Sequence, residues 1–505
     1  MRKYRGARPA ALVLLVSVVA AAGAEPAAAD DIRESQGFRR GVTVEGIREH
    51  QLALQQIADA NGGTRAVGTP GFDASVGYIV EKATAAGYDV SLDEFTFVEE
   101  FIEGSPPVLQ ETAPEPQTFV PGTRPAFDGD FVTFTGTGDV TAPVQAVDLV
   151  LPPTPAPNGS TSACEAEDFA GFTPGNIALI QRGTCPYVQK AANAQEFGAS
   201  AIILFNEGQP GRTAVPNNLP LGAEGVHIPG VGTSFAVGVD LSDPGTVARV
   251  KTETNEVLGS SVNVIAETPG GDPHRTVVIG AHLDSVPAGP GINDNGSGSG
   301  GILEIAETYA QQNRTPRNKL RFMWYGAEEI GLVGSTKYVE GLSQAEKDDI
   351  LAMLNFDMIG SPNFARMVYD GDGTVGPEGP TGSGLIEDVF LDYFASQGLF
   401  NEPTAFDGRS DYGPFIAEGI PAGGLFTGAE VPKTAAQVAQ YGGIVDAQLD
   451  PCYHAPCDTF AGSGSGAGAT APGLGLVALD QMSDAAAHAV LFFSKTKLDV
   501  RNTPN

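Results

Sequence analysis

Positive charge is scarce in this sequence. Its 505 residues carry 29 lysines and arginines against 61 aspartates and glutamates, a formal net charge of −32. A nucleic-acid partner would want a basic stripe, so that class is excluded. Strong acidity suits a soluble protein kept dispersed by self-repulsion. No stretch after the N-terminus reads as long and apolar enough to span a bilayer, so no stable membrane anchor is expected. Cysteines number four and show no C-x2-C spacing, which argues against a structural zinc held by all of them. No phosphate-binding G-x-x-x-x-G-K-[ST] string occurs. No calcium loop of EF-hand type occurs either, so Ca2+ is compatible with the acidity but unsupported. Solenoid-period repeats are absent.

What is present begins with the N-terminus. Arg2, Lys3, Arg5 and Arg8 precede the apolar run Ala10–Ala22, and Ala22-Gly23-Ala24 has a small-x-small pattern. This predicts a secretory signal peptide over residues 1–24; Ala27-Ala28-Ala29 offers a second cleavage point, as late as 29. Export to an oxidising compartment follows, and there the cysteines can pair. Three pairings are open. The local ones, Cys164–Cys185 and Cys452–Cys457, are expected because the two groups fall in segments of different texture.

The length implies two or three domains. Helical patterns run over 43–61, with Thr43 as N-cap, and over 73–86; a strand follows near Val90–Phe97. Residues 103–126, rich in proline, threonine and glutamate, read as a linker. Residues 127–254 hold short apolar strands broken by glycine and proline, with no reactive cluster, and read as an inserted binding or lid domain. From Ser261 strands alternate with helices, which implies an α/β fold with a mainly parallel sheet covered on both faces. Residues 462–470 read as a flexible surface loop.

Five segments carry the chemistry, and all follow predicted strands or lie in loops, where open α/β sheets place their sites. In Gly280-Ala281-His282-Leu283-Asp284-Ser285, residues 282 and 284 point the same way in extended chain. His282 reads as a metal ligand, with Asp284 behind the imidazole fixing its tautomer. Asp294, just before a glycine- and serine-rich helix start, reads either as a helix cap or as a carboxylate bridging two cations. In Trp324-Tyr325-Gly326-Ala327-Glu328-Glu329, one glutamate can bind metal while the other activates water. Asp357 ends an apolar strand, where an uncompensated charge is costly without a cation. In Cys452-Tyr453-His454-Ala455-Pro456-Cys457-Asp458 a disulfide over five positions would pin a histidine. Two histidines and three carboxylates, with a spare glutamate, suit two zinc ions about 3.5–4 Å apart. Co2+ or Mn2+ could substitute.

Taken together and in this order, these segments make the chain resemble the M28 family of zinc aminopeptidases. The residues that carry the resemblance are AHLDS, GINDNGSGSGG, YGAEEIGLVGS, NFDMIG, GRSDYGPF and CYHAPCD, with a weaker match at Gly63-Thr64-Arg65 and Gly68–Gly71. The segment IALIQRGTCPYVQKAANAQEFGASAIILFNE resembles a protease-associated (PA) domain. The resemblance implies a mixed, mainly parallel α/β sheet flanked by helices, of the zinc-exopeptidase, phosphorylase/hydrolase-like kind, with a small α/β PA insert. It implies peptidase segments at 30–126 and 255–500 around the insert at 127–254. It implies that His282 and Asp357 hold one zinc, Glu329 and His454 the other, and that Asp294 bridges. Glu328 becomes the general base, Tyr453 a steadying group for the oxyanion, and Arg409 part of the substrate end. The implied substrates are peptides or proteins with a free N-terminus, with a weak preference for large apolar residues such as leucine, and a monomer is expected. Three rivals share the scaffold: a PA-containing zinc carboxypeptidase, a glutaminyl cyclase with one zinc, and a non-catalytic receptor-like ectodomain. The first usually adds a helical dimerisation domain, which little more than one helix after residue 474 does not supply. The second and third expect lost ligands, whereas all five are here.

Overall fold

The computed structural model describes residues 26–124, 126–155, 158–465 and 473–505. The expected signal peptide lies outside them. The chain divides into two compact units. One comprises the chain up to Phe95 together with Ser261–Asn505, and the other Thr96–Ser260.

The first unit is built on a mixed eight-stranded sheet. Its strand order is Asp89–Glu103, Thr254–Glu267, Asn318–Tyr325, Asp272–His282, Ile350–Phe356, Ala422–Phe426, Met367–Tyr369 and Glu402–Thr404. The four central strands, from Asn318–Tyr325 to Ala422–Phe426, run parallel, with antiparallel partners on either side. Val277, Ile279, Leu320, Phe322, Leu354 and Phe356 are fully buried, as continuous apolar strands covered by helices must be. Each such side chain contributes on the order of 1.5–3 kcal/mol.

The helices start where local chemistry allows. Thr43 caps Val44–Ala60 by accepting from the Gly46 N–H. Pro70–Ala85 begins three residues before the predicted start, because Thr69 caps it and Pro70 takes the first helical position. One helix departs from the sequence reading. Leu474–Lys495 does have the length and apolarity of a membrane span, but two-thirds of its most apolar stretch is buried inside the unit. The glycine-rich run also differs: residues 462–465 close a short helix, Phe460–Ser465, capped by Thr459 Oγ1, while 466–470 lie outside the described residues.

The second unit carries its own eight-stranded sheet. Its central strands Ile177–Gln181 and Ala201–Phe205 are parallel and buried throughout. Residues 103–126, read as linker, contribute the strands Val108–Ala113 and Gln117–Thr118. Prolines at 106, 107, 114 and 116 hide this strand in the sequence. Only Leu109 and Glu111 face inward, and their partners Val250 and Ala248 are far away in the chain. Cys164–Cys185 closes a loop of 21 residues in this unit. Its selective reduction should cost the unit about 3 kcal/mol, read as a lower denaturant midpoint for the Thr96–Ser260 signals. An unchanged midpoint would show that the loop is held by packing alone.

Candidate active site

Three neighbouring parallel strands end side by side. Asp272–His282 delivers His282 as its last residue, Asn318–Tyr325 leads into Glu328 and Glu329, and Ile350–Phe356 leads into Asp357. The register aligns these ends, with His282 opposite Tyr325 and Gly280 opposite Asn355. Asp294 and His454 arrive from loops. Every ligand candidate read from the sequence meets here.

Asp294 sits between the two histidines. Its Oδ1 is 3.2 Å from His282 Nε2 and its Oδ2 is 3.3 Å from His454 Nε2. His282 Nε2 is also 3.4 Å from Asp357 Oδ1, and His454 Nε2 is 2.9 Å from Glu329 Oε2. Glu328 Oε2 lies 4.0 Å from His282 Nε2, so its carboxylate faces the same space. Two overlapping donor sets result, one of His282, Asp294 and Glu329, the other of His282, Glu328 and Asp357.

Each of these side chains is held from behind. Asp284 is fully buried; its main-chain oxygen lies 3.2 Å from His282 Nδ1, with Oδ1 at 3.6 Å, and its carboxylate accepts the N–H groups of both Glu328 and Glu329. It therefore orients the glutamate loop as well as the imidazole. The helix Gly296–Gln311 is capped by Asn295, whose Oδ1 accepts from the Gly298 N–H at 2.9 Å. This leaves the Asp294 carboxylate free for the histidines. Gly298 is required there, since a Cβ would lie 2.0 Å from the Phe356 carbonyl oxygen. Ser410 Oγ donates to Asp357 Oδ2 at 2.7 Å.

Two supports were not legible in the sequence. Asp458, the last residue of CYHAPCD, accepts the N–H groups of Asn293 and Asp294 at 2.7 and 2.9 Å, tying the His454 loop to the Asp294 loop. Its position beside the histidine motif was the only signal. Arg65 is fully buried and donates to the carbonyl oxygens of Leu283, Pro290 and Gly291, fastening the loop between His282 and Asp294. Ala327, Met358 and His454, in or beside the ligand set, all have positive φ. Such backbone costs on the order of 1–3 kcal/mol each and persists where the surroundings hold it.

The electrostatics call for cations. Burial pushes Glu328 well above the usual carboxylate range and Glu329 up to about 7. Burial likewise lifts Asp411, which feels the charges of His282 and Asp357, to about 7. Asp294 goes the other way, to about 2, because hydrogen bonds from both histidines outweigh its burial. His454 is pushed up to about 10 by its bonds to Asp294 and Glu329. Glu329 Oε1 and Asp357 Oδ1 are buried and receive no hydrogen bond among the described residues. Carboxylate oxygens so placed, with two imidazoles, are a donor set that fits zinc.

Beside the ligands opens a cavity of about 500 Å³. Its apolar wall includes Leu332, Met358, Met367, Tyr369, Phe426 and Val431. Tyr453 stacks on His454 with ring centroids 3.8 Å apart, and its hydroxyl accepts from Arg409 Nη2 at 3.3 Å. Arg409 is anchored by Glu430 at 2.9 Å. Cys452–Cys457 closes the loop that carries His454. A separate acidic group, Asp370, Asp372 and Glu387, is a different matter. Asp370 accepts N–H groups of Thr374, Val375 and Gly376, and Glu387 those of Gly371 and Asp372, so these carboxylates cap a turn.

Comparison with known proteins gives the family. The model of peptidase family M28 matches residues 263–470, and that of the PA domain matches residues 140–241. A Pseudomonas aeruginosa (strain UCBPP-PA14) protein named Aminopeptidase is 46% identical over 438 residues, covering 84% of this chain and 78% of that one. The chain belongs to peptidase family M28. Leucine aminopeptidase 2 of Trichophyton equinum is another relative, 46% identical over 308 residues, 59% of this chain and 60% of that protein. The solved aminopeptidase from Aneurinibacillus sp. strain AM-1 superposes with a TM-score of 0.58 at 25% identity, covering 93% of this chain and 98% of that one. The M28 chain is thus an M28 peptidase fold with a PA insert.

Proposed function

We propose that this M28 metallo-aminopeptidase is a secreted monomer that uses two zinc ions to remove N-terminal residues, large apolar ones such as leucine foremost. The observation that carries the reading is Asp294 offering one oxygen to each of two histidines, at 3.2 and 3.3 Å. In this reading His282 and Asp357 hold one ion, Glu329 and His454 the other, and Asp294 lies between; Co2+ or Mn2+ can substitute. When bound, the cations supply positive charge that acidifies water and polarises the scissile carbonyl.

The protein's own groups do the rest. Glu328, facing the cluster but bonded to no donor in it, takes a proton from the attacking water and passes it to the leaving amine. Its raised basicity, caused by burial, suits that task. Tyr453 donates its hydroxyl to the developing oxyanion, with Arg409 holding it in place. The apolar cavity supports a large apolar side chain, and export is supported by two disulfides, which persist in oxidising compartments.

A panel of aminoacyl p-nitroanilides, free or N-acetylated, tests the reading. The free leucyl compound should be cleaved fastest and the acetylated one not at all. Cleavage of acetylated peptides from the C-terminus would replace aminopeptidase by carboxypeptidase.

Protons must leave when zinc arrives. Because His454 holds its proton up to about 10 in the metal-free protein, zinc affinity should rise with pH, roughly tenfold per unit for each proton displaced. The same hydrogen bonds stabilise the metal-free fold below the ordinary imidazole value, and that contribution is lost as pH rises through about 10. Calorimetry in buffers of different ionisation heat reads the protons released. Affinity equal at about pH 6 and about pH 8 would contradict the assignment of His454.

A further inference from the structure

Three helices of the first unit meet at His50. The histidine comes from Val44–Ala60, Tyr78 and Lys82 from Pro70–Ala85, and Glu304 and Glu307 from Gly296–Gln311. The two glutamates are three residues apart and share one helix face. The His50 side chain is 3% exposed. Its Nδ1 is 2.7 Å from Tyr78 Oη, whereas its Nε2 is buried with no hydrogen-bond partner among the described residues.

That orphaned nitrogen is 3.7 Å from Glu304 Oε2 and 3.6 Å from Glu307 Oε2. The opposite oxygens are already engaged. Glu304 Oε1 accepts from the Thr43 N–H and hydroxyl, each at 3.3 Å, and Glu307 Oε1 lies 3.4 Å from Lys82 Nζ. One free oxygen of each glutamate and one free nitrogen therefore converge, all within 4.8 Å of one another. The 3.6–3.7 Å separations are too long for hydrogen bonds. They are close to what one ion requires: two donors held by zinc at about 2.0–2.2 Å lie roughly 3.3–3.6 Å apart.

We propose that His50, Glu304 and Glu307 form an additional divalent-cation site, suited to zinc by its one nitrogen and two carboxylate oxygens. It shares no residue with the cluster around Asp294. In the ligating tautomer Nδ1–H donates to Tyr78 Oη, 2.7 Å away, and the Nε2 lone pair is free, the arrangement a neighbour behind a ligating histidine provides. The ion joins the three helices, one of which starts two residues after Asp294. Its role is to brace that helix. The competing occupant of the same geometry is a proton on Nε2 facing the two carboxylates, of which that of Glu307 is also paired with Lys82.

Counting ions separates the two. The full chain is stripped with chelator, dialysed against zinc chloride and assayed for zinc per chain, alongside Glu307→Gln and His50→Gln. Each variant should hold one ion fewer than the wild type, with that site weakened at least about 100-fold. Each should keep its turnover of leucyl p-nitroanilide, and zinc should raise its melting temperature less than it raises that of the wild type. The difference of one ion does not depend on how many the Asp294 cluster holds. Equal counts in the wild type and both variants, or loss of every ion together with activity, would overturn the site.

Discussion

Glu328→Gln should lower kcat by roughly 10²–10⁴-fold, the usual worth of general acid–base catalysis. Zinc content and competitive-inhibitor binding should stay near normal. The amide keeps the size of the carboxylate but cannot accept the proton. KM should change little, since the lost interaction exists only in the transition state. Glu329→Gln should behave differently. Its Oε2 is 2.9 Å from His454 Nε2 and its Oε1 is buried without a donor among the described residues, so an amide there weakens a metal site. Metal analysis and steady-state kinetics on both variants decide the matter. Glu328 also lies in a donor set with His282 and Asp357, so the roles could be exchanged. Loss of zinc in Glu328→Gln, with zinc retained in Glu329→Gln, would show that they are.

Exhaustive chelation should abolish activity, and zinc should restore it. The physical reason is the charge the site concentrates. Asp294, Glu328, Glu329 and Asp357 surround two imidazoles, and the nearby guanidinium of Arg65 is spent on carbonyl oxygens. Without cations, Glu329 tends to protonate and His454 to keep its proton, so neither is in the form that ligation or catalysis needs. Asp294→Asn should reproduce much of the loss at any zinc concentration. A neutral amide offers one oxygen where two are needed, and both histidines lose the same partner. Full activity with metal verified as absent, or Asp294→Asn retaining both ions, would remove the two-ion mechanism.

The chemistry-bearing residues were legible because strand ends announce themselves. His282, Glu328, Glu329 and Asp357 each follow an apolar run, and the strand-then-polar pattern is local. Their supports were not legible, because each depends on a contact between distant segments. Asp458 bonds the backbone at 293 and 294, and Arg65 bonds carbonyls from 283 to 291. The choice between cap and bridge at Asp294 could not be made from sequence either. Asp294 and Asn295 are adjacent and both are good caps, and only the fold has Asn295 accept from Gly298.

The same division holds for the architecture. By itself the sequence carried the α/β pattern, the expectation of the two local disulfides and the candidate ligands around Asp294, because periodicity, spacing and side-chain chemistry are properties of short segments. The tertiary structure decided the rest. It made a strand of Val108–Ala113, whose partners lie at Val247–Lys251, and it buried the apolar helix Leu474–Lys495 in the first unit. It brought His50 to Glu304 and Glu307 across about 250 residues of chain. Such pairings carry no local signature: the free energy that selects them comes from surfaces that meet only when the chain is folded.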